Sequence, residues 1–511
     1  MASTEKAKTN IIETLQSLVV AFVFAMVFRG FVVEGFVIPT GSMAPTLMGQ
    51  NLLLHSDQTG QDFAIGYDPR MNVDQLRFTD PMLGRNVPLS LASIKKAKSR
   101  LGDRVLVLKT LYPFFGPYRY DVVVFKNPTD TQGLSANYIK RLIGLPGETI
   151  WIADGDIFAS KHGSAFEIQR KPDSIQRSLW RPVSDTDAIP IDTLALSRPW
   201  RGSPWIAKPT AKWTVKDRTW FCTSADPTVL AWDQNKILID DWLPYNMLMP
   251  SMRSQPLADI RVSVTLTPED SSLTAGFTLG TLQHRFTWSI EGSTATLSMK
   301  TLRGELVQEV HGAIDEIYAG KPIRLECWHA DQAMGLYVQG DKVAELLYSF
   351  TPEERLRLAT NSDDSIPVED LAGQGGRAAT LEWHFHGSPF VLSRLQVDHD
   401  LYYRSDKLRS SATKNPTKAG NEDLVRAGTP AYGTHPDKLA VLGEDQFLMA
   451  GDNSVYSLDG RLWGNPDAYV AAQIDDSPFT VHRDLLIGKA WGVYWLPPPL
   501  IPEFHRFQFI R

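Results

Sequence analysis

Between residues 258 and 405 apolar side chains recur at every second position, and that period restricts the segment to extended chain. Ile260, Val262, Val264 and Leu266 make one run, and Phe286, Trp288 and Ile290 another. Ile323, Leu325 and Cys327 make a third, with Arg324 and Glu326 on the opposite face. A strand with one buried face requires this spacing. Leu336-Tyr337-Val338, the turn Gln339-Gly340-Asp341 and Val343 to Leu347 predict a hairpin. Leu381, Trp383 and Phe385 predict another strand, and Leu395, Val397 and the Leu401-Tyr402-Tyr403 cluster close the region. Many short strands separated by turns predict an antiparallel β-sandwich over 258–405.

A second constraint lies at the N-terminus. Lys6 and Lys8 precede an apolar stretch that is uninterrupted from Leu18 to Phe28 and weaker from Ile11 to Val33. A helical span needs about 20 residues, so Glu13, Gln16 and Arg29 belong near the interfaces. A cleavable signal peptide has an apolar core of similar length, but no small-x-small site follows Phe28; Arg29, Phe31, Val32, Val33 and Glu34 come instead. A tail over 1–10 and a single-pass anchor over 11–34 are expected, with a lipid bilayer as partner. The lysines predict a cytoplasmic N-terminus in the cell (inner) membrane and a body on its outer, periplasmic or extracytoplasmic, side. Leu485 to Leu496 is apolar but short, contains Lys489 and runs into Pro497, Pro498 and Pro499, so it reads as a core strand.

Composition narrows the class further. The 511 residues correspond to about three domain-sized units. A hydrophobic share of 43% and a charged share of 22% are those of a globular protein. The mild net charge of -6 points to no nucleic-acid partner. The two cysteines, Cys222 and Cys327, exclude a cysteine-based zinc site and a disulfide framework. One disulfide and two buried thiols both remain open. The expected fold is mainly β, with a split domain over 35–165 and 439–511. An insert at 49–100, partly helical from Ser90 to Ser99, interrupts its first part. Residues 166–257 are rich in Trp, Pro and Asp, read as irregular, and carry turn signals at Arg198-Pro199 and Ser203-Pro204. The sandwich and a linker over 406–438 follow.

Three segments of the split domain carry chemistry. In Phe36-Val37-Ile38-Pro39-Thr40-Gly41-Ser42-Met43-Ala44-Pro45-Thr46-Leu47, Pro39 extends Ile38, Gly41 permits backbone geometry closed to other residues, and Pro45 stiffens the exit. A serine in such a loop presents its hydroxyl outward and its amide toward a developing oxyanion; a rigid turn without function has the same pattern. In Tyr138-Ile139-Lys140-Arg141-Leu142-Ile143, alternate residues of a strand face opposite ways, and Leu145-Pro146-Gly147-Glu148 makes a turn. A strand lysine is usually solvated. An inward Lys140 is instead driven toward its neutral form, and a neutral amine takes a proton from serine. Gly451-Asp452-Asn453-Ser454-Val455-Tyr456-Ser457-Leu458-Asp459-Gly460-Arg461 is a polar loop after the apolar Phe447-Leu448-Met449-Ala450, suited to orienting a buried amine.

Taken together, and in this order, residues 11–48, 101–160 and 440–496 resemble the type I signal peptidase (leader peptidase) family, serine proteases with a Ser–Lys dyad. The resemblance implies Ser42 as nucleophile and Lys140 as general base. It implies Thr40 and the Ser42 amide as oxyanion hole, Ser457 as hydrogen-bond partner of the lysine, and Asp452, Asp459 and Arg461 as residues that order the site. Asp121 to Phe125 is similar to the family's structural strand box. Tyr120 stands where the family has glycine, and Gly460 where it has serine. Residues 49–100 and about 165–438 have no counterpart in the minimal family domain.

The implied reaction is removal of signal peptides from exported preproteins after small residues (Ala-x-Ala type sites), with no metal or cofactor. Phe36 to Ile38 is expected to pair with the residues before the scissile bond. Phe36, Ile38, Met43, Leu47, Tyr138 and Ile139 are expected to line shallow apolar pockets that exclude large side chains. Two rival readings differ from this. A repressor-type, autocleaving Ser–Lys protease lacks the anchor before the serine. A membrane-tethered binding protein would use the sandwich, similar in pattern to the jelly-roll sandwiches of lectin-like modules, for an unknown ligand beside a degenerate protease. His384 and His386 share a strand face near His399, a spacing more often found in packing or surface roles than in a metal site. The Trp180, Trp200, Trp205, Trp213, Trp220 stretch fits core and interdomain packing better than a sugar platform.

Overall fold

The computed structural model of the chain describes residues 2–27, 30, 32–68, 76–85, 87–131, 134–189, 203–249, 253–416, 420–495 and 508–510. Arg198-Pro199, Trp200 and Pro497 to Pro499 lie outside these residues, as do Phe28, Arg29 and Phe31 of the expected anchor. The N-terminal helix spans Ala2–Val27. From Glu13 to Val27 every side chain is exposed, including Leu18, Phe22 and Phe24. Among the described residues no helix is long and apolar enough to cross a membrane.

The split domain is built on an antiparallel sheet of eight strands. They are β1 (Val33–Val37), β2 (Arg104–Leu108), β3 (Val122–Lys126), β4 (Asn137–Gly144), β5 (Gln446–Ala450), β6 (Val481–His482), β7 (Leu486–Trp495) and β8 (Gln508–Phe509). Their order is β1-β2-β7-β3-β4-β5-β6, with β8 against β7. The two sequence-distant parts therefore interleave. β7 from the C-terminal part lies between β2 and β3, and β5 lies against β4. The expected strands at Asp121 to Phe125 and Leu485 to Leu496 are β3 and β7. β3 is central and buried on both faces, which accounts for its unbroken valine run. β1 is an edge strand, paired with β2 alone. A four-stranded sheet of Glu148–Ala153, Asp156–Lys161, Glu167–Ile168 and Ala440–Val441 follows the Leu145–Glu148 turn, where Gly147 has φ +73.

The sandwich is larger than the alternation indicated. Its two sheets, of eight and seven strands, begin with Arg181–Asp185 and end with Phe390–His399. The segment read as irregular supplies Trp205–Lys208, Trp213–Lys216, Thr219–Cys222 and Thr228–Trp232 to them. These strands of four or five residues are too short to show a period beside their turns. Trp205, Trp213 and Trp220 are buried in the sandwich core, and Trp180 packs edge-on against Trp328. Cys222 and Cys327 are buried free thiols. Of the 49–100 insert, Asn51–His55, Asp62–Gly66 and Lys98–Arg100 form a small sheet. Its expected helix is reduced to Leu91–Lys95, capped by Ser90.

Candidate active site

Ser42 lies in a single 3-10 turn, Gly41–Met43, directly after the edge strand. Gly41 has no left-handed backbone; the reason it must be glycine is space. A Cβ there would come within 2.0 Å of the Tyr245 ring. Lys140 projects from the middle of β4, opposite Val123 of β3, and is 3% exposed. Its Nζ donates to Ser42 Oγ at 2.7 Å and to the Ile139 carbonyl at 3.0 Å. Strand alternation sends the next side chain, Arg141, away from Lys140. There it forms a fully buried bidentate pair with Asp452 at 2.8 and 2.7 Å.

Electrostatics shift the amine toward its neutral form. Burial is the largest influence and brings the Lys140 pKa down to about 8. Asp459 and Asp452 pull it back up, and Arg461 pushes it down. Those two aspartates have weakened fields because each is already paired. Asp459 accepts from Arg461 at 2.9 and 2.8 Å and from the Gly451 amide at 2.8 Å. Burial would raise both carboxyls, but Arg141 beside Asp452 and Arg461 beside Asp459 outweigh it and keep both below the ordinary range. The lysine thus sits near two carboxylates whose charge is answered by arginines. Its own contacts are a hydroxyl and a carbonyl.

The remaining expected residues fall into three groups. Thr40 is exposed, with Oγ1 3.5 Å from Ser42 Oγ, where it can reach an oxyanion formed at the serine. Ser457 is buried but makes no hydrogen bond to Lys140. Its hydroxyl has no well-formed partner and acts on the Asp459 carboxyl, helping to hold it low. Ile38, Met43, Leu47 and Ile139 are packed in one core cluster with Val105, Val107 and Val122. Met43 and Leu47, at 0% exposed, back the site rather than line a pocket. Phe36 and Tyr138 are half-buried, and the Tyr138 ring lies 5.4 Å from Lys140 Nζ.

Four contributors were not assigned from sequence. Arg141 was visible as the neighbour of the lysine. Thr46 donates to Asp452 at 2.6 Å. Asn453 fixes the Gly41–Met43 turn, its amide donating to the Ser42 carbonyl at 3.0 Å and its side chain to the Gly41 carbonyl at 3.1 Å. Asn246 exchanges reciprocal 2.8 Å amide bonds with Asn453. Nothing in the sequence around Asn246, inside the long insert, signalled that it reaches the site.

The profile of the signal peptidase, peptidase S26 family matches residues 11–74 and 88–194. These segments, about a third of the chain, are similar to the signal peptidase family. A signal peptidase I of Rickettsia bellii is 28% identical over 28% of this chain and 37% of its own length. That of Rickettsia massiliae is 31% identical over 30% of this chain and 47% of its own. The chain thus spans less than half the length of either relative. Among solved structures, a carbohydrate binding module from Bacillus subtilis aligns at 7% identity and TM-score 0.24, over 38% of this chain and 96% of that one.

The two departures from the signal peptidase pattern have local explanations. Tyr120, at the family's glycine position, has φ +73, a backbone that glycine adopts freely and tyrosine does not. Its side chain offsets that cost by packing in the core with Ile143 and Leu179 and by donating to the Gln169 carbonyl. At Gly460 a Cβ would lie 2.8 Å from the Met449 carbonyl oxygen and 2.9 Å from Leu448, so a serine does not fit without a shift. His384 and His386 share a face with Glu382, and His399 is buried in the other sheet. Among the described residues, the acidic or histidine group compact enough for a metal is Asp156, Asp259 and Asp331. Arg355 pairs with Asp156 and Asp259 at 3.3 Å each.

Proposed function

We propose that the chain is a membrane-anchored signal peptidase, an endopeptidase that removes signal peptides from exported preproteins after small residues. The observation that carries this reading is the 2.7 Å contact between Lys140 Nζ and Ser42 Oγ, both buried, with the amine brought down to about 8. Ser42 Oγ attacks the scissile carbonyl as its proton passes to Lys140. The oxyanion is held by Thr40 Oγ1 and the Ser42 amide. Lys140 then protonates the leaving amine and, neutral again, takes a proton from the water that cleaves the ester. The free edge of β1 supports pairing with the residues before the bond. The packed cluster behind it supports a preference for small side chains, because it leaves little depth to fill.

The described N-terminal helix falls short of a full span, but its exposed Leu18, Phe22 and Phe24 support a seat in lipid and a nucleophile close above it. In this reading the N-terminus is cytoplasmic and the sheet domain lies on the outer side of the cell membrane. Full-length protein in detergent should cut a preprotein at its Ala-x-Ala site, and Ser42→Ala and Lys140→Ala should each lose that cleavage by about 1,000-fold or more. Wild-type turnover in either variant would refute the dyad. Recovery of the protein in the soluble fraction would refute the anchor.

A further inference from the structure

A cavity of about 500 Å³ opens beside the nucleophile turn. Its lining joins Pro39, Thr40 and Gly41 to Tyr245, Leu248 and Met249 of the long insert, with Gln50, Tyr67, Asp68 and Tyr456 adding polar groups. Thr40 is the residue whose hydroxyl lies 3.5 Å from Ser42 Oγ, so the cavity begins next to the reacting atoms. Its size is that of a ligand pocket and far exceeds what a methyl side chain needs.

The insert wall is fixed in place. Tyr245 Oη donates to the Gln50 carbonyl at 3.0 Å, and its ring occupies the space that Gly41 leaves open. The adjacent Asn246 is locked to Asn453, which in turn holds the nucleophile turn. No residue of β1 lines the cavity. It begins at Pro39, past the end of the edge strand with which the residues before the scissile bond would pair, at the turn that carries Ser42.

We propose that this cavity is a subsite for a bulky apolar or aromatic side chain of the preprotein within the first few residues after the scissile bond. The inserted segment 244–249 supplies its selectivity. The proposal rests on the peptidase reading and adds a preference on the mature side of the bond. A site for small residues before the bond is then paired with a roomier one after it, to which the insert contributes part of the lining.

The test uses full-length protein in detergent and synthetic peptides that share one Ala-x-Ala site and carry Gly, Leu, Phe or Trp at each of the first three positions after it. At one of these positions wild type should prefer a large side chain over Gly by about tenfold or more in kcat/KM. Leu248→Trp and Met249→Trp, which fill the cavity, should each bring that ratio close to one. A wild-type ratio near one at all three positions would overturn the subsite, and so would a ratio that survives both tryptophans. If wild type and Ser42→Ala are equally inert toward every peptide, the peptidase reading itself is wrong and the subsite falls with it.

Discussion

Lys140 and Lys171 both have buried side chains, and their surroundings give them opposite states. Lys140, at the candidate active site, touches Ser42 Oγ and a backbone carbonyl, and its pKa falls to about 8. Lys171, where the split domain meets the sandwich, pairs with Asp331 and with Asp400 at 2.9 Å. Burial pulls its pKa down too, but Asp331 and Asp400 outweigh it and hold the ammonium well above its ordinary value. Burial therefore does not decide the charge; the carboxylates left unclaimed nearby do. At Lys140 two aspartates are close, yet Arg141 and Arg461 have already paired with them. The junction lysine is a cation in a fixed structure, while Lys140 is held near the point of losing its proton.

The largest expected effect tests that difference directly. Lys140→Arg keeps a cation of similar length but cannot release its proton at working pH. It should lose preprotein cleavage by about 1,000-fold or more, as measured by single-turnover assay. Comparable activity in this variant would make the lysine a mere positive charge, like its counterpart. Lys171→Met should leave Asp331 and Asp400 buried without their cation and lower stability by about 3–5 kcal/mol, read from denaturant unfolding. Little change there would mean that the junction charges are solvated in solution.

The same contrast explains what could be read from the chain. The period-two runs marked the sandwich because its long strands each bury one face. The short strands around Trp205 and Trp220 escaped because four residues between turns carry no period. Ser42, Lys140 and Asp452 were legible because backbone constraints and polar residues concentrate in short segments. The orientation of Lys140 was not legible. Ile139, Lys140 and Arg141 are all buried on a strand sheltered on both sides, so alternation alone could not show which side chain met the serine. Asn246 and Tyr245 were hidden for another reason: their partners, Asn453 and Gly41, lie hundreds of positions away in the sequence. Ser457, placed beside the lysine by resemblance, instead bears on Asp459.

A smaller effect concerns stability at the Ser42–Lys140 site. The pKa of Lys140 in the fold lies below its free value of 10.5. The fold therefore disfavours the charged amine. The penalty is full below about pH 8, where folded and unfolded chains are both protonated, and vanishes above about pH 10.5, where neither is. The gap corresponds to about 3 kcal/mol. Lys140→Met removes the penalty but also the hydrogen bond to Ser42, so at pH 7 it should stabilise the inactive protein by about 2 kcal/mol. The gain should shrink as pH rises through 8 to 10. The same substitution at Lys171 should destabilise, and two changes of the same sign would break the comparison.

The smallest effect is a displacement of the pH profile. With Lys140 as the base, kcat/KM should rise with pH through about 8 and level off above it, because only the neutral amine accepts the serine proton. Arg461→Met leaves the buried Asp459 carboxylate unpaired within reach of the amine. A carboxylate whose charge is no longer answered favours the ammonium, so the rising limb should move to higher pH by about one unit, as a nearby opposite charge does. At pH 7 the variant is then slower than wild type, and at high pH it approaches the same plateau. A plateau that falls with no movement of the limb would mean that Arg461 only holds the loop in place. A limb that moves to lower pH would mean that Asp459 takes up a proton when its arginine is removed, and the centre would then differ from the junction by geometry rather than by charge.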